Sequence, residues 1–280
     1  LRVVAMRWLD YKGLVPLKSC FMGVFSSKSN AAFFFIPTFH LSPHHLSPKN
    51  LHISQIFITF AAKSINNIMD IRSYIAENRA RFMEEWTRLI RIPSISCQPA
   101  HKEDMLRCAE RWRELLLEAG AQHAEVMPSA GNPFVYAEYS PMEVRGESLE
   151  LKDEDIPTVL VYSHYDVMPV EPLDLWQSNP WEPSIRDGRL YARGADDDKG
   201  QAMIQVKAFE YLVKNGLMNC HVKFIFEGEE EIGSPSLEAF LEEHRELLAC
   251  DIILVSDTSM IGKDTPSITT SLRGLAYWEM

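Results

Sequence analysis

Cysteine is scarce. The 280 residues hold five, Cys20, Cys97, Cys108, Cys220 and Cys250, an odd number with no C-x-x-C pair. That argues against a disulfide framework and against cysteine zinc ligation, and it fits a reducing, cytoplasmic setting. Long apolar runs are also missing. No window reaches the ~18 apolar residues of a bilayer-spanning helix, so no membrane partner is expected. No internal repeat is visible. Positive charge is lacking over most of the chain. Residues 69–280 carry 21 Lys/Arg against 38 Asp/Glu, a net −17, whereas residues 1–68 carry seven against one, a net +6. A body this acidic argues against nucleic acid, whose phosphates want a basic face. It suits a site that binds cations.

What is present points to an α/β domain. The chain is 46% hydrophobic, enough for one large domain or two smaller ones. Residues 1–68 begin with Leu1, contain Phe33-Phe34-Phe35 and the turn-rich LSPHHLSPKN, and do not read as part of the domain. They are expected to be an upstream extension, disordered or mistranslated, with Met69 as the start. Asp70 then caps a helix with apolar positions Ile71, Tyr74, Ile75, Phe82, Trp86, Leu89 and Ile90, ended by Pro93. A second helix spans about 103–119, with Met105, Leu106, Ala109, Trp112, Leu115 and Leu116 on one face and Gly120 as its stop. A strand follows near 134–139, and residues 140–157 read as an acidic loop. TVLVYS (158–163), HVKFIFE (221–227) and DIILVS (251–256) are short, apolar, β-branched runs, the mark of buried strands. Helices between them are expected over 200–214 and over 235–248, the latter capped by Ser234. This order implies a largely parallel central sheet flanked by helices.

Ligands of open α/β sheets bind beyond the carboxyl ends of the strands. His164 directly follows the first run, with Asp166 two residues on. Glu230 and Glu231 follow the second by three and four residues, and Asp257 follows the third. Asp197 lies in RGADDDKG, ahead of a helix. Each piece has a plain structural alternative. Asp196-Asp197-Asp198 reads as a solvated loop or a helix cap, Glu229-Glu230-Glu231 as an exposed charge run, and Asp257 as a turn cap. Convergence favours function. Carboxylates gathered at one sheet edge repel one another unless cations neutralise them, and His, Asp and Glu are the ligand types of catalytic zinc.

The strings HYDVMP, WEPSIRDGRLYARGADDDKG and FEGEEEIGSPSL, in this order, resemble the co-catalytic zinc peptidases, a family that includes carnosinase, cytosolic non-specific dipeptidase, aminoacylase and succinyl-diaminopimelate desuccinylase. The resemblance runs from about Met69 onward. It implies a zinc-peptidase-like three-layer α/β domain and two divalent metal ions, zinc by preference, with manganese and cobalt sharing the ligand types. It implies His164 and Asp257 as ligands of one metal, Asp197 as a bridging ligand, and Glu231 on the second metal. Asp166 would orient the His164 imidazole, and Asp198 takes a position joined to the bridging Asp by a cis peptide. Glu230 would be the general base that deprotonates water and protonates the leaving amine. The strings E-G-x-E-E-x-G-S and Asp-Asp-Lys-Gly look more like the dipeptidase and carnosinase branch than the deacylases. A dipeptide substrate is therefore expected, with an N-acyl amino acid as the alternative.

Two family features find no counterpart. Nothing after Asp257 supplies the late histidine of the second metal. The lid, through which family members dimerise, is represented only by SLRGLAYWEM, which resembles its first strand. The expected layout is an extension over 1–68, the N-terminal part of a catalytic domain over 69–271, and the first strand of a truncated lid over 272–280. On this reading the 280-residue chain alone is an inactive fragment, or a pseudoenzyme that holds one metal.

Overall fold

The computed structural model describes residues 68–141, 155–258 and 269. The extension over 1–67, most of the acidic loop and the lid strand lie outside the described residues. Four α-helices are described: α1 (Ile68–Ile90), α2 (Lys102–Ala119), α3 (Lys199–Lys214) and α4 (Leu237–Glu243). The strands are β1 (His123–Met127), β2 (Phe134–Tyr139), β3 (Thr158–His164), β4 (Ser184–Arg186), β5 (Arg189–Tyr191), β6 (His221–Glu227) and β7 (Ile252–Val255).

The central sheet has the order β1-β2-β6-β3-β7. β6, β3 and β7 pair in parallel, while β2 is antiparallel to both β1 and β6. Four of the five strands therefore point the same way, and only β2 is reversed. The side-chain period of two sends alternate β6 residues to opposite faces. Phe224 and Phe226 join the core formed with Trp112, Leu115 and Leu116 of α2 and Met203, Val206 and Phe209 of α3. Ile225 faces the other way and packs with Tyr136, Leu160, Phe134 and Phe240 of α4. Helices on both sides of the sheet give the expected three layers.

Several local expectations need correction. Helix α1 already includes Ile68, so Asp70 lies inside its first turn rather than ahead of it. Ile75 and Leu106, assigned to apolar faces, are 42% and 50% exposed. The predicted 235–248 helix shrinks to the seven residues of α4, with Ser236 at its cap. Ser234 adopts a positive φ of 52°, and its hydroxyl donates to Glu227 Oε1 at 3.0 Å instead of capping. By contrast Gly120 ends α2 as expected, in the left-handed conformation that glycine reaches without steric cost. Among the described residues no two cysteines are joined in a disulfide. Among the described residues no helix is long and apolar enough to cross a membrane.

Helices α1 and α3 are joined by a buried ionic network. The Glu210 carboxylate accepts from Arg81 Nη2 at 2.5 Å, Tyr74 Oη at 2.7 Å, Lys207 Nζ at 2.7 Å and Lys214 Nζ at 2.9 Å. Burial alone would raise this carboxyl group, but Arg81, Lys207, Tyr74 and Lys214 outweigh burial and hold it well below the ordinary glutamate value. Its contribution is complete above that ordinary value and is lost as pH falls through the lowered one. Glu210→Gln is expected to cost about 1.5–3 kcal/mol near neutral pH. Urea unfolding should show the gap to wild type narrowing as pH is taken below ~4.

Candidate metal centre

The site forms at the carboxyl edge of β3, β6 and β7. Residue 164 ends β3, and the chain continues in extended form because Tyr165 N donates to Glu227 O and Val167 N to Ser94 O, each at 2.9 Å. This buries both His164 and Asp166 completely. The imidazole Nε2 lies 3.0 Å from Asp197 Oδ1, 3.5 Å from Asp257 Oδ2 and 3.9 Å from Glu230 Oε2. One ligand atom from each of His164, Asp197 and Asp257 falls within 4.8 Å of the others.

The Asp166 carboxylate sits on the far side of the ring. Its Oδ1 lies 3.2 Å from His164 Nδ1 and accepts from Glu230 N at 3.2 Å, while its Oδ2 accepts from Glu231 N at 3.1 Å. Asp166 therefore holds the histidine ring and the glutamate turn together. With Nδ1–H donating to this carboxylate, Nε2 is left as the ligand lone pair.

The Asp197 loop is shaped by three neighbours. The Asp197–Asp198 peptide is cis, as the resemblance implies. Asp198 occupies the cap position of α3 but makes no side-chain cap bond. Its Oδ2 instead accepts from His164 N at 3.1 Å. Gly200 is required because a Cβ there would lie 2.1 Å from Ala195 O. Lys199 is fully buried, and its Nζ donates to Leu89 O at 3.0 Å and Ile92 O at 2.7 Å, at the end of α1. A lysine in the first turn of a helix opposes the helix dipole. That mismatch is the one sequence signal of a buried anchor at Lys199. Just beyond β7, Thr258 N donates to Gln201 Oε1 at 3.2 Å and steadies the segment that carries Asp257.

The electrostatics match a site for positive charge. Burial pushes the His164 imidazole down, yet Asp166, Asp197 and Asp257 hold its protonated form well above the ordinary histidine range. Asp197 is lowered chiefly by His164. Burial raises Glu230, with Asp257, Asp166 and Asp197 adding to it. Burial and the charge of Asp197 raise Glu231. Asp198 is pushed up to about 8, first by burial and then by Asp257. The carboxylates gather around one imidazole nitrogen, and a divalent cation on His164, Asp197 and Asp257 would neutralise them. One imidazole and two carboxylates are a donor set suited to zinc in a catalytic site. Glu231 is outside that cluster.

Comparisons with known proteins agree with this geometry. Residues 160–269 match the profile of Peptidase family M20/M25/M40. A cysteinylglycine-S-conjugate dipeptidase of Corynebacterium striatum is 38% identical over 121 residues, covering 43% of this chain and 27% of that protein. The human Beta-Ala-His dipeptidase is 30% identical over 220 residues, covering 73% of this chain and 41% of the relative. Human carnosine dipeptidase 1 superposes with a TM-score of 0.60 at 26% identity, covering 70% of this chain and 42% of that one. An M20 metallo-carboxypeptidase of Sulfolobus solfataricus gives a TM-score of 0.55 at 32% identity, covering 64% and 38%. The chain thus spans less than half the length of these relatives. The motifs around His164, Asp197 and Glu230 lie within the matched stretch, and residues 160–269 are thereby assigned to Peptidase family M20/M25/M40, with their sequence similarity lying on the side of the dipeptidases and carnosinase.

Proposed function

We propose that the chain carries the catalytic domain of a metal-dependent dipeptidase, with Glu230 as general base. The observation that carries this reading is the meeting of His164, Asp197 and Asp257 at one point, with Glu230 Oε2 3.9 Å from the same imidazole nitrogen. His164, Asp197 and Asp257 would hold one cation, and Asp197 and Glu231 would contribute to a second. When bound, such ions supply Lewis-acid polarisation of the scissile carbonyl and an acidified water. The protein's own residues do the rest. Asp166 holds the His164 Nδ1 side through its carboxylate and its backbone carbonyl, so that Nε2 would be the nitrogen offered to a cation. The Glu230 carboxylate takes a proton from the attacking water and returns it to the leaving amine nitrogen. Its partial burial raises its proton affinity above that of an ordinary glutamate, the direction that favours a group that takes up a proton. The names of the relatives support a dipeptide as substrate, with zinc, manganese and cobalt as the metals to test.

Cation uptake by the chain itself is one test. A divalent metal at 100 times its dissociation constant should stabilise the fold by about 2.7 kcal/mol, seen as a higher unfolding temperature. Asp257→Ala should remove most of that gain. Equal stabilisation of the variant would remove Asp257 from the ligand set. Turnover is the second test, in the complete reading frame that contains this chain. Hydrolysis of dipeptides, lost with chelator and restored by metal, supports the proposal. Turnover of N-acyl amino acids in preference to dipeptides would replace it.

A further inference from the structure

The proposed chemistry uses Glu230 and Glu231 but leaves Glu229 idle. Yet Glu229 is the glutamate of the triplet that the fold buries most deeply, at 4% exposure. An unpaired carboxylate costs several kcal/mol to bury, so its hydrogen bonds say what it is for. Its Oε1 accepts from Asn132 N at 3.0 Å, and its Oε2 accepts from Ser236 N at 3.1 Å. Asn132 Nδ2 donates back to Gly228 O at 2.9 Å. One carboxylate thus ties the glutamate turn both to the loop between β1 and β2 and to the start of α4.

The seat is built for this side chain. A Cβ on Gly131 would lie 1.8 Å from Glu229 Oε1, and a Cβ on Gly228 would lie 2.4 Å from the Tyr165 hydroxyl. That hydroxyl donates to Pro133 O at 2.6 Å, closing the same loop onto the chain beside His164. Both oxygens of Glu229 face backbone N–H donors. A glutamine would set its own NH₂ against one of them, so only a carboxylate satisfies both.

The turn Glu230–Ile232 therefore hangs between two carboxylates. Asp166 grips Glu230 N and Glu231 N from the β3 side. Glu229 grips from the β2 and α4 side, and Ser234 N closes the turn onto Glu229 O at 2.8 Å. We propose that Glu229 is a positioning residue, which through the Asn132 and Ser236 amides sets where Glu230 and Glu231 stand over the cation site. The inference rests on the metallopeptidase reading for the roles of those two residues. Without Glu229 the turn is held on one side only, and misplacement of a catalytic group by about 1 Å can cost ~10²-fold in rate.

The test uses Co²⁺ titration followed by the visible spectrum, together with dipeptide kinetics, on the complete reading frame that contains this chain. Glu229→Gln should leave the tighter Co²⁺ within about threefold of wild type and weaken the second by ~10–100-fold. It should lower kcat by a similar factor with KM little changed. Gly131→Ala approaches the same carboxylate from an exposed loop and should reproduce the pattern in a protein that folds even where a Glu229 variant does not. The proposal is overturned if both variants bind two Co²⁺ as wild type and keep kcat while only the melting temperature falls. A wild type that takes up a single Co²⁺ overturns it as well. Selective loss of the second Co²⁺ in a protein that hydrolyses no dipeptide leaves the positioning role standing and removes the peptidase reading instead.

Discussion

Glu230→Ala lowers kcat for a dipeptide by a factor of about 10²–10⁴ while both cations still bind within threefold of their wild-type affinities. The expectation follows from where Glu230 stands. Its carboxylate is half-buried and lies 3.9 Å from His164 Nε2, farther than Asp197 at 3.0 Å and Asp257 at 3.5 Å. It is outside the compact ligand cluster of His164, Asp197 and Asp257 but close enough to reach a water held there. A ligand removed from that position would take a metal with it. A proton carrier would take only the rate. Glu230→Gln separates the roles further, since the amide keeps the shape but cannot accept the proton. Steady-state kinetics paired with metal analysis of the same preparations decides the matter. A fall in metal content that matches the fall in kcat would move Glu230 into the ligand set. Full activity with two metals bound would remove it from the mechanism.

The sequence was most readable where a segment needs no distant partner to explain it. β3, β6 and β7 follow from apolar, β-branched runs bounded by turn residues, and the expected 221–227 segment coincides with β6. Helix α2 follows from its spacing and from Gly120. The residues of the candidate centre were readable because strand ends are marked in sequence and ligands gather beyond them. Other features were hidden for definite reasons. β1 has an exposed or partly exposed HAEV, so its two charged or imidazole side chains mask a strand that owes its place to pairing with β2. Ser234-Pro235 has the chemistry of a helix start, but the Ser234 hydroxyl is used by Glu227. Lys199 and Glu229 look like members of exposed charge runs. Their partners, Leu89 O and Asn132 N, lie 110 and 97 residues away along the chain. Residue type and spacing cannot reveal such partners. Asp198 was half readable, since the cap position is real but its carboxylate serves His164 N.

The largest structural loss is expected at Asp166, because it does most and can least be replaced. It is fully buried, and it satisfies three donors at once: His164 Nδ1 and Glu230 N through Oδ1, and Glu231 N through Oδ2. Asp166→Ala strands the Glu230 and Glu231 amides and leaves His164 Nδ1 only the residue-166 backbone carbonyl, 3.1 Å away. Orphaned buried donors cost about 1–3 kcal/mol each, and relaxation of the freed turn recovers part of that. A net loss of about 3–5 kcal/mol is expected, the scale of a broken buried charge pair. Asp166→Asn is the sharper probe. With its oxygen at the Oδ1 position it keeps His164 and Glu230 N, and its NH₂ meets Glu231 N donor to donor. It should therefore lose less stability than alanine and still weaken cation binding by ~10–100-fold, with the damage concentrated on the ion that Glu231 serves. Urea unfolding of the metal-free proteins measures the first effect, and metal titration measures the second. Were Asp166→Ala to unfold like a surface variant, within ~0.5 kcal/mol of wild type, the histidine ring and the glutamate turn would be held by something other than this carboxylate. The ordered relation between Nε2, Asp197 and Glu230 would then need a different cause.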